Sequence, residues 1–331
     1  MRLITSLAEL DPADYPRGSA VAVGKFDGVH LGHRAIIAAL ERAASERGLA
    51  SVVFTFENNP LTLLQPENCP RPVASPAQRV ELLEAAGVDT CVMVPFDREF
   101  AAITAHEFVE RLLVERLRVG HVILGTEFRF GHRGQGDAAL LRELGAVHGF
   151  TVEVVESVVV EAPGGADTGA GTGADADTAA VECVSSSRIR EAVLAGDVAL
   201  AGRMLGRPYA VRGEIVHGDA RGRLLGFPTA NLGGEIEGLV PADGVYGGSV
   251  VIDGVERLAA ISVGVNLTFE PEGEPRVEAF VLDFSGDLYG KTMEVRFRER
   301  IRAMLPFESV DALVARMHED VSETRTLVRV T

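Results

Sequence analysis

The stretch GKFDGVHLGHR (24–34) sets His30 and His33 three positions apart, directly after a short apolar run. Residues at i and i+3 lie on one face of a helix, so both imidazoles would face one point at a helix start. Free N–H groups and the helix dipole make that end attractive to a phosphate. Gly28 and Gly32 let backbone and ligand approach closely. Imidazoles placed there suit hydrogen-bond donation to a phosphorus centre that gains charge in its transition state. Two plainer readings compete. A metal pair lacks the HExxH spacing or the partnered cysteines that would go with it. Two unrelated surface histidines are the default for an arbitrary HxxH, and only the surrounding elements argue otherwise.

Over residues 20–160 those elements alternate strand and helix. AVAVG (20–24) is a short apolar strand, and LGHRAIIAALERAASERG (31–48) follows at helical period. SVVFTF (51–56), TCVMV (90–94) and HVILG (121–125) are further strands. SPAQRVELLEAAG (75–87) has Ser75 as N-cap, Pro76 at the first helical position and Gly87 as stop. Thr104 and Glu107 form a capping box ahead of Phe108, Leu112 and Leu113. DAALLRELGAVHG is another helix and runs into FTVEVVESVVV. Strands alternating with helices predict a doubly wound parallel sheet, with ligands beyond the carboxyl ends of its strands. The stretch 161–180 is Gly, Ala, Asp and Thr with almost nothing to bury, and reads as a disordered surface loop. VSSSRIREAVLAG (184–196) then resumes a capped helix. From Tyr209 the chain reads as strands, with Asp253-Gly254 as a tight hairpin turn and a capped helix from Ser309. That helix carries Val310, Leu313, Val314, Met317 and Val321. A small antiparallel β-barrel with a C-terminal helix follows. The expected domains are 1–198 and 199–331.

Composition narrows the function. With 331 residues, 47% of them hydrophobic, the chain has material for two cores. A formal charge of −16 argues against a duplex-binding surface but allows a local basic pocket for a small anion. Cys69, Cys91 and Cys183 are odd in number and share no motif spacing, which fits a reducing compartment. The start MRLITSLAELDPADYP lacks the apolar core of a signal peptide, and no run approaches the ~20 apolar residues of a membrane span. A soluble cytoplasmic protein with neither nucleic-acid nor membrane partners is expected.

FDGVHLGH resembles the HxGH element of the nucleotidyltransferase superfamily, and VSSSRIR resembles the ISSTxIR element that closes the same site. Together with TF at 55–56 and GTEFRFG at 125–131, the first 200 residues resemble the FMN adenylyltransferase module of the bifunctional riboflavin kinase/FAD synthetases. GDARGRLLGFPTANL (218–232), ISVGVN (261–266), RVEAFVLD (276–283) and DLYGKTMEV (287–295) resemble the riboflavin kinase module of the same proteins. The resemblance implies two phosphorus transfers. In the first, riboflavin's 5′-hydroxyl attacks the γ-phosphate of ATP and gives FMN. Glu278 matches the general base, while Thr229 and Asn231 of PTAN match residues that hold Mg²⁺ and ATP. Gly222 and Gly226 suit a loop folded over phosphates. By its residues alone, Glu278 is an outward side chain of an alternating strand. In the second transfer, FMN phosphate attacks the α-phosphate of ATP, giving FAD and pyrophosphate. The resemblance makes His30 and His33 stabilisers of the transferring group, and Ser185, Ser186 and Arg190 holders of the triphosphate. Gly24, Phe26, Asp27, Asn59 and Glu127 complete the implied binding set.

The pattern also departs from the family. TFENNP stands where TFxPHP is usual, so Asn58 and Asn59 replace Pro and His. An amide still hydrogen-bonds a phosphate but carries no charge. Glu127 stands where Asp or Asn is usual, and Lys25 where an apolar residue is common. Lys25 either restores the charge lost at Asn59 or is simply solvated. These departures leave a riboflavin kinase with a weakened, altered or merely binding N-terminal module as the alternative. A flavin- or nucleotide-binding sensor is opposed by the intact PTAN and Glu278. An aminoacyl-tRNA synthetase is opposed by the missing KMSKS and basic face.

Overall fold

A computed structural model describes residues 1–161, 181–218, 222, 225–264 and 276–329. Apart from Glu161, the expected loop at 161–180 lies outside the described residues. Intrachain contacts divide the protein into two compact units, Met1–Val159 and Val160–Thr331.

The first unit is built on six parallel strands: β1 (Arg2–Ile4), β2 (Ser19–Val23), β3 (Ala50–Phe56), β4 (Thr90–Val94), β5 (Val119–Gly125) and β6 (Thr151–Val155). Their order is β1-β4-β3-β2-β5-β6. Alternation along each strand sorts side chains to two faces. Val21, Val23, Val52, Phe54 and Leu124 join Phe108, Leu112 and Leu113 in one core. Ala20, Ala22, Val53, Met93 and Ile123 join Ile37, Leu40 and Leu83 in the other. Ile37 and Leu40 belong to α1 (Leu31–Arg47), which ends in left-handed Gly48 at φ 64°. A short α2 (Leu61–Leu64) precedes α3 (Pro76–Ala85), which starts in a capping box between Ser75 and Gln78. The box at Thr104 and Glu107 also forms, but Phe108–Arg116 winds as a wider π-helix. β1 is absent from the sequence reading: a three-residue edge strand is too short to show alternation.

The second unit begins with the helices Ser186–Leu194 and Val198–Leu205, beyond the ribbon of β7 (Val159–Glu161) and β8 (Val181–Cys183). The stretch after β6 is thus no continuation of it but a separate short strand. β9 (Tyr209–Val216), β10 (Thr229–Glu237), β11 (Gly244–Ile252), β12 (Val255–Gly264), β13 (Arg276–Val281) and β14 (Thr292–Arg302) close an antiparallel barrel in the order β10-β13-β12-β11-β14-β9. Asp253 and Gly254 both have positive φ, as a two-residue hairpin turn requires. The C-terminal helix Val310–Leu327 is capped by Ser309. Leu313, Val314, Met317 and Val321 are half-buried along the packed side, which also holds the buried Asp320 and Thr324, while Val310 at the helix start is 44% exposed.

Candidate active sites

In the first unit, the chain leaves β2 at Gly24, whose N–H donates to the Phe54 carbonyl at 3.1 Å. The next residues turn sharply. Phe26, Gly28 and Val29 have φ of 48°, 81° and 40°. Glycine adopts such values freely, whereas a β-branched Val29 does so only where its surroundings hold it. Phe26 and Val29 are buried. Asp27 Oδ1 accepts the N–H groups of Val73 at 2.9 Å and Ala74 at 3.3 Å.

His30 is the N-cap of α1, and its own ring does the capping: Nδ1 accepts the His33 N–H at 3.3 Å. An accepting Nδ1 carries no proton, so the proton of neutral His30 resides on Nε2. The rings of His30 and His33 stack with centroids 3.6 Å apart, and Phe26 lies 5.0 Å from His33. Desolvation, helped by His30 and Arg79, holds His33 well below the usual imidazole pKa. His33 Nδ1 is buried with no hydrogen bond among the described residues. The arrangement is a pair of stacked, neutral rings at a helix start, able to donate to an anion without carrying charge of their own.

The loops after β3 and β5 supply the other expected residues. Asn59 Oδ1 accepts the Leu61 N–H at 3.1 Å and so shapes the entry to α2. Asn58 pairs with the backbone of Phe96, accepting its N–H at 2.7 Å and donating to its carbonyl at 3.1 Å. Glu127 is exposed in the turn after β5. A cavity of about 340 Å³ lies between the loops after β2 and β3 and the segment leading into α3, lined by Lys25, Asp27, Asn58, Asn59, Cys69 and Arg79 among others. Ser185, Ser186 and Arg190 fall in the second unit, where Ser185 Oγ caps its helix by accepting the Arg188 N–H at 3.2 Å.

The second unit gathers its expected residues on two neighbouring strands. Asn231 of β10 stands opposite Glu278 of β13, and Thr229 opposite Phe280. Thr229 Oγ1 donates to Glu278 Oε2 at 3.1 Å, and Asn231 Nδ2 donates to the Thr229 carbonyl at 3.4 Å. Glu278 alternates with buried Val277 and Ala279, so the outward position read from the sequence is right. That outer face is nonetheless occupied: Asn231 is 8% exposed, and Phe227 packs on both Phe280 and His318 of the C-terminal helix. Gly222 and Gly226 shape the loop before it. A Cβ on Gly222 would lie 2.3 Å from the Phe227 carbonyl, and Gly226 has φ 84°. Thr229, Asn231 and Glu278 present hard oxygen atoms, the donor set that suits Mg²⁺. Among the described residues no group of three or more His, Cys, Asp or Glu is placed to hold a metal ion.

Both parts of the chain match known families. A family model described as FAD synthetase matches residues 13–164, and one described as riboflavin kinase matches residues 205–328. The bifunctional riboflavin kinase/FMN adenylyltransferase of Pseudomonas fluorescens is 36% identical, covering 99% of this chain and 98% of its own. That of Escherichia coli K12 is 34% identical over 97% and 96%. The chain belongs to the bifunctional riboflavin kinase/FMN adenylyltransferase family. A crystal structure titled as a macrolide-efflux protein from Streptococcus pneumoniae has a TM-score of 0.80 and 33% identity, covering 99% of this chain and all of that one. Among the described residues no helix is long and apolar enough to cross a membrane.

In this member of the family the N-terminal site holds a residue that the sequence did not mark. Arg79 sits in an ordinary amphipathic helix pattern yet is 6% exposed. A long cation at a polar helical position looks solvated, and only the fold turns it inward.

Proposed function

We propose that the chain converts riboflavin to FMN and FMN to FAD by two separate chemistries, with a functional division at 198/199. The first reaction is carried by Glu278, within 3.1 Å of the Thr229 hydroxyl and in register with Asn231. Glu278 takes the proton from the ribityl 5′-hydroxyl as that oxygen bonds to the γ-phosphorus of ATP and ADP leaves. Thr229 and Asn231 would hold Mg²⁺ with ATP, and the ion would supply neutralisation of phosphate charge. The loop of Gly222 and Gly226 covers the phosphates. In the second reaction, an oxygen of FMN phosphate bonds to the α-phosphorus of ATP and pyrophosphate leaves. His30, donating from Nε2, and His33 stabilise the charge that develops. Ser185, Ser186 and Arg190 hold the triphosphate, so the functional division at 198/199 assigns their helix to the adenylyltransferase.

Gly24, Phe26 and Asp27 serve this site through the shape of their loop, and Glu127 contacts substrate from the turn after β5. Asn59 donates to phosphate from Nδ2, its amide oriented by the bond that Oδ1 accepts from Leu61 N–H. Lys25, exposed on the cavity wall, provides the positive charge that the family's histidine would have brought. The free cysteines and the charge of −16 support a cytoplasmic enzyme of small-molecule substrates without nucleic-acid or membrane partners.

The test is chromatography of products from riboflavin with ATP and Mg²⁺, and separately from FMN with ATP and Mg²⁺. Wild type should give FMN and FAD from the first mixture and FAD from the second. Glu278→Ala should abolish FMN formation and leave the adenylylation of supplied FMN unchanged. Phosphorylation persisting in that variant at the wild-type rate would remove Glu278 from its role.

A further inference from the structure

Arg79, on α3, forms no ion pair among the described residues, although its side chain is almost wholly buried. Its donors go to backbone. Nη1 donates to the carbonyls of Lys25 at 3.0 Å and Phe56 at 2.8 Å, and Nη2 donates to that of Glu57 at 2.5 Å. The Thr55 hydroxyl adds a further bond to the Lys25 carbonyl at 3.0 Å. Lys25 lies just past β2, while Phe56 and Glu57 lie at the end of β3. The ladder between those strands stops at Val23 and Phe54. Beyond that point one planar guanidinium holds the two departing chains together.

The loop it holds is the one that carries the histidines. Between Lys25 and His30 the backbone takes left-handed φ at Phe26, Gly28 and Val29. Such a run persists only where its ends are fixed from outside. One fixture is Arg79 on the Lys25 carbonyl. The other is Asp27, which receives N–H groups from Val73 and Ala74, just ahead of the same helix. We propose that Arg79 is a positioning residue of the adenylyl-transfer site, clamping the Lys25–Val29 loop to the end of β3 and so setting His30 and His33 at the start of α1. This role rests on the reading of the first unit as an adenylyltransferase.

The cation has a second consequence. Burial lowers the pKa of Arg79 itself, and its charge helps to keep His33 neutral. Lysine would keep a charge there but, as a compact ammonium, would not reproduce the planar fork. Methionine would fill the space with neither charge nor donors.

The two variants separate these effects in the full-length chain. Displacement of a reacting group by about 1 Å costs on the order of a hundredfold in rate. Arg79→Met should therefore lower kcat for FAD formation about a hundredfold and Arg79→Lys about tenfold, with riboflavin phosphorylation unchanged in both. Imidazole ¹⁵N NMR of His33 should show a raised pKa in Arg79→Met and a nearly wild-type one in Arg79→Lys. Wild-type FAD kinetics in both variants would overturn the proposal. So would equal loss of both activities with a lowered melting temperature, which marks a residue that serves the fold alone. Absence of FAD from the wild-type reaction is a different failure: it overturns the adenylyltransferase reading, and this role with it.

Discussion

The Nδ1 atom of His30 accepts the amide of His33, so the ring starts a helix and, when neutral, keeps its proton on Nε2. The capping bond fixes the tautomer, and the stacked His33 ring, desolvated and close to Arg79, stays unprotonated. Neutral donors are suited to a phosphorus centre whose charge grows only during reaction. The same burial makes folding pH-dependent. An unfolded chain takes a proton on His33 near pH 6.5, while the folded protein resists it to lower pH. Because the unfolded state then binds more protons, stability must fall as pH drops below about 6.5. His121, whose pKa is lowered chiefly by burial, acts in the same direction. Melting temperatures measured at pH values either side of 6.5 should decline toward acid. The decline should be shallower in His33→Asn, and an identical decline in that variant would refute this account. Asn58 carries a related lesson. The amide that replaces a proline of the family pattern is not a vacant phosphate donor but a clip between two loops.

Elements carry the sites by their ends and edges. The first site grows from the carboxyl ends of β2, β3 and β5, as the parallel sheet requires. The second lies where β10 and β13 run side by side, with the C-terminal helix over Phe227. That helix is attached by Arg302 of β14, whose Nη2 and Nε meet Asp320 at 2.7 and 2.9 Å. The pair is nearly buried, at 12% and 5% exposure of the side chains, so removing one partner strands the other. Asp320→Asn should cost about 3–5 kcal/mol of stability in the second unit. Denaturant unfolding monitored with riboflavin phosphorylation would read it. A midpoint unmoved from wild type would mean that solvent already screens the pair. The helix Ser186–Leu194 has its own attachment within this unit, from Ala242 N–H to the Val193 carbonyl at 3.2 Å and from Arg300 to the Ala195 carbonyl at 3.4 Å.

At the scale of the whole molecule, each chemistry has its own core, and each should be removable without the other. His30→Ala combined with His33→Ala should stop FAD synthesis and let FMN accumulate from riboflavin. Losing one preorganised donor costs about a hundred- to a thousandfold, so losing both should put the rate below detection. Mixed with Glu278→Ala protein, the double variant should again yield FAD, because its FMN diffuses to the intact adenylyltransferase. FMN that accumulates in the mixture without FAD would show that the two reactions require one chain. The sequence alone determined the architecture: the change from helical to alternating period near residue 200, the caps at Ser75, Thr104 and Ser309, and the Asp253-Gly254 turn are local signals that depend on neighbouring residues. It also marked the chemistry, since His30, His33, Thr229, Asn231 and Glu278 stand in recognisable motifs. What only the tertiary structure decided depends on distant partners. The left-handed φ of Phe26 and Val29, the use of Asn58 as a clip to Phe96, and the inward turn of Arg79 all arise from groups tens of residues away. Asp320 at the packed face of its helix belongs with them. No periodic pattern reports such contacts, because burial of a polar group becomes favourable only once the fold has brought its partners to it.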